Sequence, residues 1–437
     1  MDTLTEFSKQ ASLVLIGKQF VEKGMWAVIE QEVQIKQKIR QHTPHEKMLD
    51  AFIAILAGGH GLVEINTRVR PDPMVQRAFG RQRCAEQSTI SDTFDACSPT
   101  NVQQLRAALK KILRRHGQCY RHDYDHHWQL LDVDMTGLIA GRQGEGVTKG
   151  YFAHQRQRRG RQLGRVLATG YEEIVVECLY VGKRQLDQSF QDLIQATEEV
   201  LDLLENKRQN TILRMDGGGG DDANINWALS RGYHLLTKVR NWQRTYKLAQ
   251  TVTDWQTDPK VSDRYVGWVE TPHPYARPTR QVAIRHPKKK KDGSPGWHYH
   301  VLVFSLTDAM LLDLSRHAAL DLLFAAVYAY DQRDGGLETQ NRGDKQGLGL
   351  SQRNKRSFAA QEMLVLLAQL AHNLVIWSRN QLSSVESRFR KFGIQRMTRD
   401  VFQIDGRVSL SPTGQVQSVT LNGRHPHAAA FQRAFGG

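Results

Sequence analysis

The chain has 437 residues and 49.8 kDa, length for two or three domains at ~150 residues each and for a sizeable core. Hydrophobic residues make up 40%, and Gly and Pro together only 47 positions, which excludes a largely disordered or collagen-like chain. Lys and Arg exceed Asp and Glu by 15, a surplus that points towards a polyanionic partner, most often nucleic acid.

Cys84, Cys97, Cys119 and Cys178 are too few and irregular for a disulfide framework, and no C-x-x-C pair suggests zinc. A reducing compartment is the default. The opening MDTLTEFSKQASLVLIGKQF carries acids where a signal peptide is basic, and no run reaches the ~18–20 apolar residues of a membrane span. A soluble cytoplasmic protein without a membrane partner is expected.

In chain order, residues 4–40 are predicted helical, with Leu13, Leu15, Phe20, Met25, Val28 and Ile29 as the apolar positions, and Glu46–Ala57 forms a second helix ended by Gly58-Gly59. Arg70–Gly80 reads as a turn and short helix. Ser88 is placed as the N-cap of the next, and 99–116 form a basic helix. Short helices in this arrangement resemble a helix-turn-helix region.

From about 127 the pattern alternates. Trp128–Met135, Gly164–Ala168 and Glu173–Tyr180 read as strands, 185–205 as an amphipathic helix, Thr211–Met215 as a strand, Asp222–Ser230 as a helix and Tyr233–Val239 as a strand. This is a mixed α/β core. Residues 241–306 interrupt it with β-type runs at 244–252, 265–269, 281–285 and 297–304, an all-β insertion. Helices resume at about 307–331 and 358–379, and FQIDGRVSLSPTGQVQSVTLNG closes the chain as a β-ribbon.

The charge surplus is uneven. Residues 1–100 hold 12 basic and 12 acidic residues, 101–120 add five cations, and 351–437 hold 12 basic against four acidic residues. Two clusters stand out as candidate phosphate contacts: Arg156, Arg158, Arg159 and Arg161, with Arg165 beside them, and Lys288, Lys289, Lys290 and Lys291 at a turn-like HPKKKKDGSPG. The segment RHDYDHH, with His122, His126, His127, Asp123 and Asp125, has metal-like composition but reads as a surface approach to a strand, and His298 and His300 read as structural.

Two acids fall at strand ends: Asp134 in LLDVDMTG and Asp216 in LRMDGGGG. Asp132 shares a strand face with Asp134 and is its nearest competitor. Gly217–Gly220 lack the Gly-Lys-Ser/Thr of a phosphate loop, and are read as room for substrate backbone beside Asp216. A third acid, Glu338, lies in YDQRDGGLETQNRGDK. Seven residues at 100° each place Glu338 and Lys345 on one helix face. Arg333 and Glu338, five apart, are about 140° off and converge only where Gly335-Gly336 break the helix.

The Tyr330, Arg333, Glu338, Lys345 block resembles the Tyr-Arg-Glu-Lys signature of bacterial insertion-sequence transposases of the Asp-Asp-Glu type, and DVDMTG and LRMDGG resemble their first two acidic motifs. Four residues separate Arg333 from Glu338, where the commonest form has three. The resemblance covers about 120–380. It implies a ribonuclease H-like α/β fold: a mixed sheet with helices and a β insertion at about 241–306 within residues 121–380, a helical N-terminal region 1–120 for DNA binding or assembly, and a basic C-terminal region 381–437.

It further implies two Mg²⁺ or Mn²⁺ ions at Asp134, Asp216 and Glu338. DNA would be held by Tyr330, Arg333 and Lys345, and a tryptophan of the insertion would stack on a flipped base, with Trp297 the first candidate among Trp242, Trp255, Trp268 and Trp297. The implied partners are double-stranded DNA, as transposon inverted-repeat ends and target, and a second copy in a homodimeric complex associated with the bacterial nucleoid. Two alternatives remain: a nuclease or resolvase on the same fold without transposition, and a transposase-derived DNA-binding protein without activity.

Overall fold

The computed structural model describes residues 4–152, 157–289, 292–316 and 321–436. Strand β1 (Leu4–Ser8) opens the chain where a helix was expected. Helices α1 (Ala11–Glu22) and α2 (Met25–Glu32) follow, parted at Gly24, whose φ of 63° is a left-handed conformation that glycine adopts without strain. A capping box between Thr43 and Glu46 starts α3 (Pro44–Leu56). Then come α4 (Pro73–Ala78), α5 (Gln87–Asp95) and α6 (Pro99–His116). The N-cap of α5 is Glu86, and Ser88 lies inside the first turn with its hydroxyl donated to the Glu86 carboxylate at 2.5 Å.

Strands β2 (Gln129–Ile139), β3 (Thr148–Lys149), β4 (Arg159–Ala168) and β5 (Glu173–Val181) precede α7 (Leu186–Leu201), α8 (Glu205–Arg208), β6 (Thr211–Met215), α9 (Asp222–Ser230) and β7 (His234–Lys238). Where residues 244–252 were expected to be β, α10 (Trp242–Ala249) forms instead. The Asn241 side chain accepts from the Arg244 amide, and Thr245, Leu248 and Ala249 form a buried face at helical spacing. The rest of the insertion is β: β8 (Gln256–Thr257), β9 (Tyr265–Trp268), β10 (Arg280–Lys289) and β11 (Pro295–Phe304). The helix expected over 307–331 is two, α11 (Asp308–Ser315) and α12 (Leu322–Arg333). A π-helical turn (Asp334–Glu338) leads from α12 into α13 (Thr339–Gly347), followed by α14 (Phe358–Val385), α15 (Ile394–Arg396), β12 (Gly406–Leu410), β13 (Val416–Leu421) and α16 (Ala428–Phe435).

The chain forms two compact units. One comprises Met1–Gly117, Gly137–Arg161 and Gln340–Gly437. Its core joins the apolar faces of α1, α3, α6 and α14, and β1 pairs antiparallel with β12, which pairs with β13. By length and composition α14 is apolar enough to cross a membrane, contrary to the sequence reading, and 94% of its most apolar stretch is buried in the fold.

The other unit comprises Gln118–Thr136 and Gln162–Thr339. Its sheet runs in the order β4-β2-β6-β7-β11-β10-β9-β8, with β5 beside β4. Strands β2, β6 and β7 are parallel, whereas β11 joins β7 antiparallel and continues antiparallel to β10 and β9. The insertion is thus an extension of the central sheet. All five residues of β6, Arg214 included, are buried, as in a strand covered on both faces. This mixed sheet with flanking helices, beside a separate N-terminal helical region, is consistent with a ribonuclease H-like fold carrying insertions.

Candidate active site

All three candidate acids belong to the second unit. The parallel register pairs Asp132 with Arg214 and Val133 with Met215, so one further step sets Asp134 of β2 alongside Asp216, the residue after β6. Asp216 Oδ1 accepts the Gly218 amide at 2.8 Å, which fixes the turn. The glycines are needed by the chain's own packing: a Cβ at Gly220 would fall 1.8 Å from the Lys238 carbonyl oxygen, and one at Gly218 would fall 2.8 Å from the Asp216 carboxylate.

Glu338 ends the π turn. Hydrogen bonding from i to i+5 carries residues five apart back to one side of the helix, so Arg333 and Glu338 meet without the break that α geometry demanded. Arg333 Nη2 donates to Glu338 Oε1 at 3.1 Å, and Nη1 lies 3.7 Å from Asp134 Oδ2. Arg333 is buried, and among the described residues its Nε and Nη1 have no hydrogen-bond partner.

Burial raises the Asp134 carboxyl to about 7, and Asp216 and then Glu338 push it the same way against the opposing pull of Arg333. Burial opposes the charge on Arg333, yet Asp134, Tyr330, Asp216 and Glu338 hold the guanidinium above its ordinary value. The three carboxylates therefore act on one another and on one cation. Among the described residues, no three His, Cys, Asp or Glu side chains stand close enough together to hold a metal ion. The donor chemistry nonetheless suits a hard divalent cation: these are oxygen ligands whose mutual repulsion such a charge would relieve.

Asp132, the competitor for the role of first acid, is already engaged. It is fully buried and accepts two bonds from the Arg214 guanidinium at 2.6 and 2.7 Å. Tyr330 is buried on α12 with the Lys238 ammonium 4.8 Å from its ring centre. Lys238, at the end of β7, was not anticipated; the only signal was a cation closing a strand beside the Asp216 loop. Lys345 lies on α13 in the first unit, where its Nζ donates to the Gly137 carbonyl at 3.3 Å.

The basic candidates divide. Arg156, Lys290 and Lys291 lie outside the described residues. Arg158 is exposed and Arg159 half-buried. Arg161 is buried and donates to the carbonyls of Glu145, Lys355 and Arg356 at 2.7–3.0 Å, a structural position. Arg165 is likewise buried, against Glu177. Lys288 and Lys289 are exposed at the end of β10.

Trp297 pairs across the strands with Pro287 and is 40% exposed, with the Arg285 guanidinium 4.3 Å from its ring centre. Trp255 packs on the same guanidinium at 4.2 Å, Trp268 packs against the core, and Trp242 is exposed on α10. The histidine-rich segment is engaged locally: His122 bonds the Tyr171 hydroxyl at 2.8 Å and the His127 carbonyl at 3.0 Å, and exposed His126 pairs with Asp123.

Residues 8–436 match the family described as transposase DDE domain group 1. No curated protein matches. A solved structure that this chain matches is the cryo-EM structure of a piggyBac transposase synaptic complex with hairpin DNA, 12% identical with a TM-score of 0.45, the match covering 92% of this chain and 84% of that one.

Proposed function

The chain belongs to the transposase DDE domain group 1 family, and on that premise we propose that it cleaves DNA at the ends of a transposon and transfers those ends to target DNA, using Asp134, Asp216 and Glu338. The observation that carries the reading is geometric: Arg333 lies 3.1 Å from Glu338 and 3.7 Å from Asp134, and the β2–β6 register brings Asp216 alongside Asp134. Three acids from β2, the end of β6 and the turn after α12 that influence one titration have a shared charge to neutralise.

Asp134, Asp216 and Glu338 would hold Mg²⁺ or Mn²⁺, two ions in the full reading, which when bound supply an activated water or 3′-hydroxyl and stabilise the leaving oxygen. Arg333, charged throughout the accessible pH range, would orient the scissile phosphate once carboxylate charge is neutralised. Tyr330 and Lys345 would contact the DNA backbone, with Arg158, Arg159, Lys288 and Lys289 as further phosphate contacts. Trp297, open on one side and backed by Arg285, is the candidate to stack on a base. The partners would be double-stranded inverted-repeat ends and target DNA, held by a homodimer at the nucleoid.

The test uses a plasmid carrying the coding region with its native flanking DNA, incubated with the full chain and Mg²⁺. Glu338→Gln is expected to abolish strand cleavage while DNA affinity stays within about twofold. Undiminished cleavage by that variant would remove Glu338 from the site. Cleavage by the wild-type chain without joining of the released ends to a second plasmid would favour the nuclease reading.

A further inference from the structure

The ion pair beneath the three acids is the feature that the proposed chemistry does not use. Asp132 on β2 and Arg214 on β6 face each other in register, 0% and 1% exposed. Arg214 Nε donates to Asp132 Oδ1 at 2.6 Å and Nη2 to Oδ2 at 2.7 Å, a two-bond geometry that fixes direction as well as distance. The third nitrogen, Nη1, donates to the Ala329 carbonyl of α12 at 2.6 Å. The Thr169 hydroxyl, just after β4, donates to Asp132 Oδ2 at 2.8 Å.

The π turn runs directly over this pair. A Cβ at Gly336 would stand 3.1 Å from Asp132 Oδ2 and 3.9 Å from Arg214 Nη2, so only a residue without a side chain lies this close unforced. Leu337, next in the turn, is buried against Leu167 and Ile174.

Thr169 aside, each residue of this contact stands a short step from a site residue. Asp132 precedes Asp134 by two residues on one strand face, and Arg214 precedes Asp216 by two. Gly336 precedes Glu338 by two, and Ala329 precedes Arg333 by four, one helical turn. A single buried contact thus ties together the two strands, the helix and the turn that carry all three acids and the arginine. Buried ion pairs are weak devices for stability, because desolvation offsets their attraction and apolar replacements often serve as well. Their directionality is the property an apolar pair lacks.

We infer that Asp132 and Arg214 are positioning residues for DNA cleavage, holding Asp134, Asp216, Arg333 and Glu338 in mutual register through the Ala329 carbonyl and the Gly336 crossing. The inference rests on the proposed cleavage reading and adds to it two residues that touch neither DNA nor metal.

The experiment replaces the pair by an apolar one of similar volume, Asp132→Leu with Arg214→Met, in the full chain. Thermal unfolding, DNA affinity and Mg²⁺-dependent cleavage of the native-flank plasmid are then measured. A folded variant with KM for DNA within about twofold and kcat lowered by roughly 100-fold is expected, the scale of a misplacement of about 1 Å. A folded variant with wild-type kcat overturns the inference.

Should the double variant fail to fold, Gly336→Ala decides. It keeps both charges and forces only the turn, and is expected to lower kcat by about tenfold with KM unchanged, whereas wild-type kcat overturns the inference. Glu338→Gln, run in parallel, separates the two levels. If it cleaves normally, the cleavage reading itself has failed; if it is dead while the pair variants are fully active, only the positioning role has.

Discussion

Asp134 provides a stability measurement that needs neither DNA nor metal. Its carboxyl is raised from 3.8 to about 7 in the folded chain, by burial first and then by Asp216 and Glu338 against Arg333. Between those two values the folded state holds a proton that the unfolded state has released. Stability therefore falls as pH rises from about 4 to about 7, and the loss is complete above that. A shift of about three units at 1.36 kcal/mol each gives about 4 kcal/mol as an upper bound; the side chain is 15% exposed, so solvent screening reduces it.

Asp134→Asn removes this cost while Glu338 continues to accept from Arg333 at 3.1 Å. In EDTA, urea unfolding should show the variant more stable than wild type by about 2–4 kcal/mol near pH 8 and equal to it near pH 4, and in a parallel assay with Mg²⁺ the variant should not cleave at any pH. A variant no more stable than wild type near pH 8, or one that keeps the wild-type decline between pH 5 and 7, would refute the raised Asp134 carboxyl.

Other consequences follow from single contacts. Asp50 in α3 is fully buried and accepts from Arg81 Nε at 2.9 Å and from the Ala85 amide at 2.8 Å, so Asp50→Ala should cost about 3–5 kcal/mol in urea unfolding by leaving Arg81 buried with a lost partner. Gly220→Ala must move the Lys238 carbonyl from a 1.8 Å overlap, which predicts a loss of about 1–3 kcal/mol together with impaired cleavage through the Asp216 loop. Replacing exposed Lys288 and Lys289 by Ala should lower the slope of log affinity against log salt by about 0.9 for each phosphate contact removed, read by fluorescence anisotropy on duplex DNA. An unchanged slope would take the end of β10 out of the DNA interface.

The parts of the fold legible in the sequence were those whose signal is local. Strands β5 and β6 are rich in apolar and β-branched residues, α7 shows helical periodicity, and the basic helix expected over 99–116 is α6. The errors arose where partners lie far away or where two local signals compete. Strand β1 is five residues long and is fixed by pairing Leu4 with Leu410 at the other end of the chain, which periodicity cannot see. Thr245 and Tyr246 favour a strand, but the Asn241 cap and the buried Leu248 and Ala249 give the segment to a helix. Asp132 and Asp134 were indistinguishable by alternation; only Arg214, two residues before Asp216, decides which acid is already engaged.

The spacing around Glu338 unites two features that looked separate in the sequence. Four residues lie between Arg333 and Glu338, one more than in the commonest form of the signature the segment resembles, and on an unbroken α-helix that would turn the two side chains about 140° apart. An extra residue inside a helix can be absorbed as a π turn, and one is found at 334–338, with Arg333 and Glu338 3.1 Å apart across it. Such a turn widens the helix and needs space on its inner side. Gly336 supplies that space over the Asp132–Arg214 pair, where a methyl group would stand 3.1 Å from a carboxylate oxygen. The five-residue separation and the glycine pair are therefore one local solution: the π turn carries Glu338 back towards Arg333, Gly336 accommodates the turn, and the carboxylate of Glu338 comes to the guanidinium that also faces Asp134.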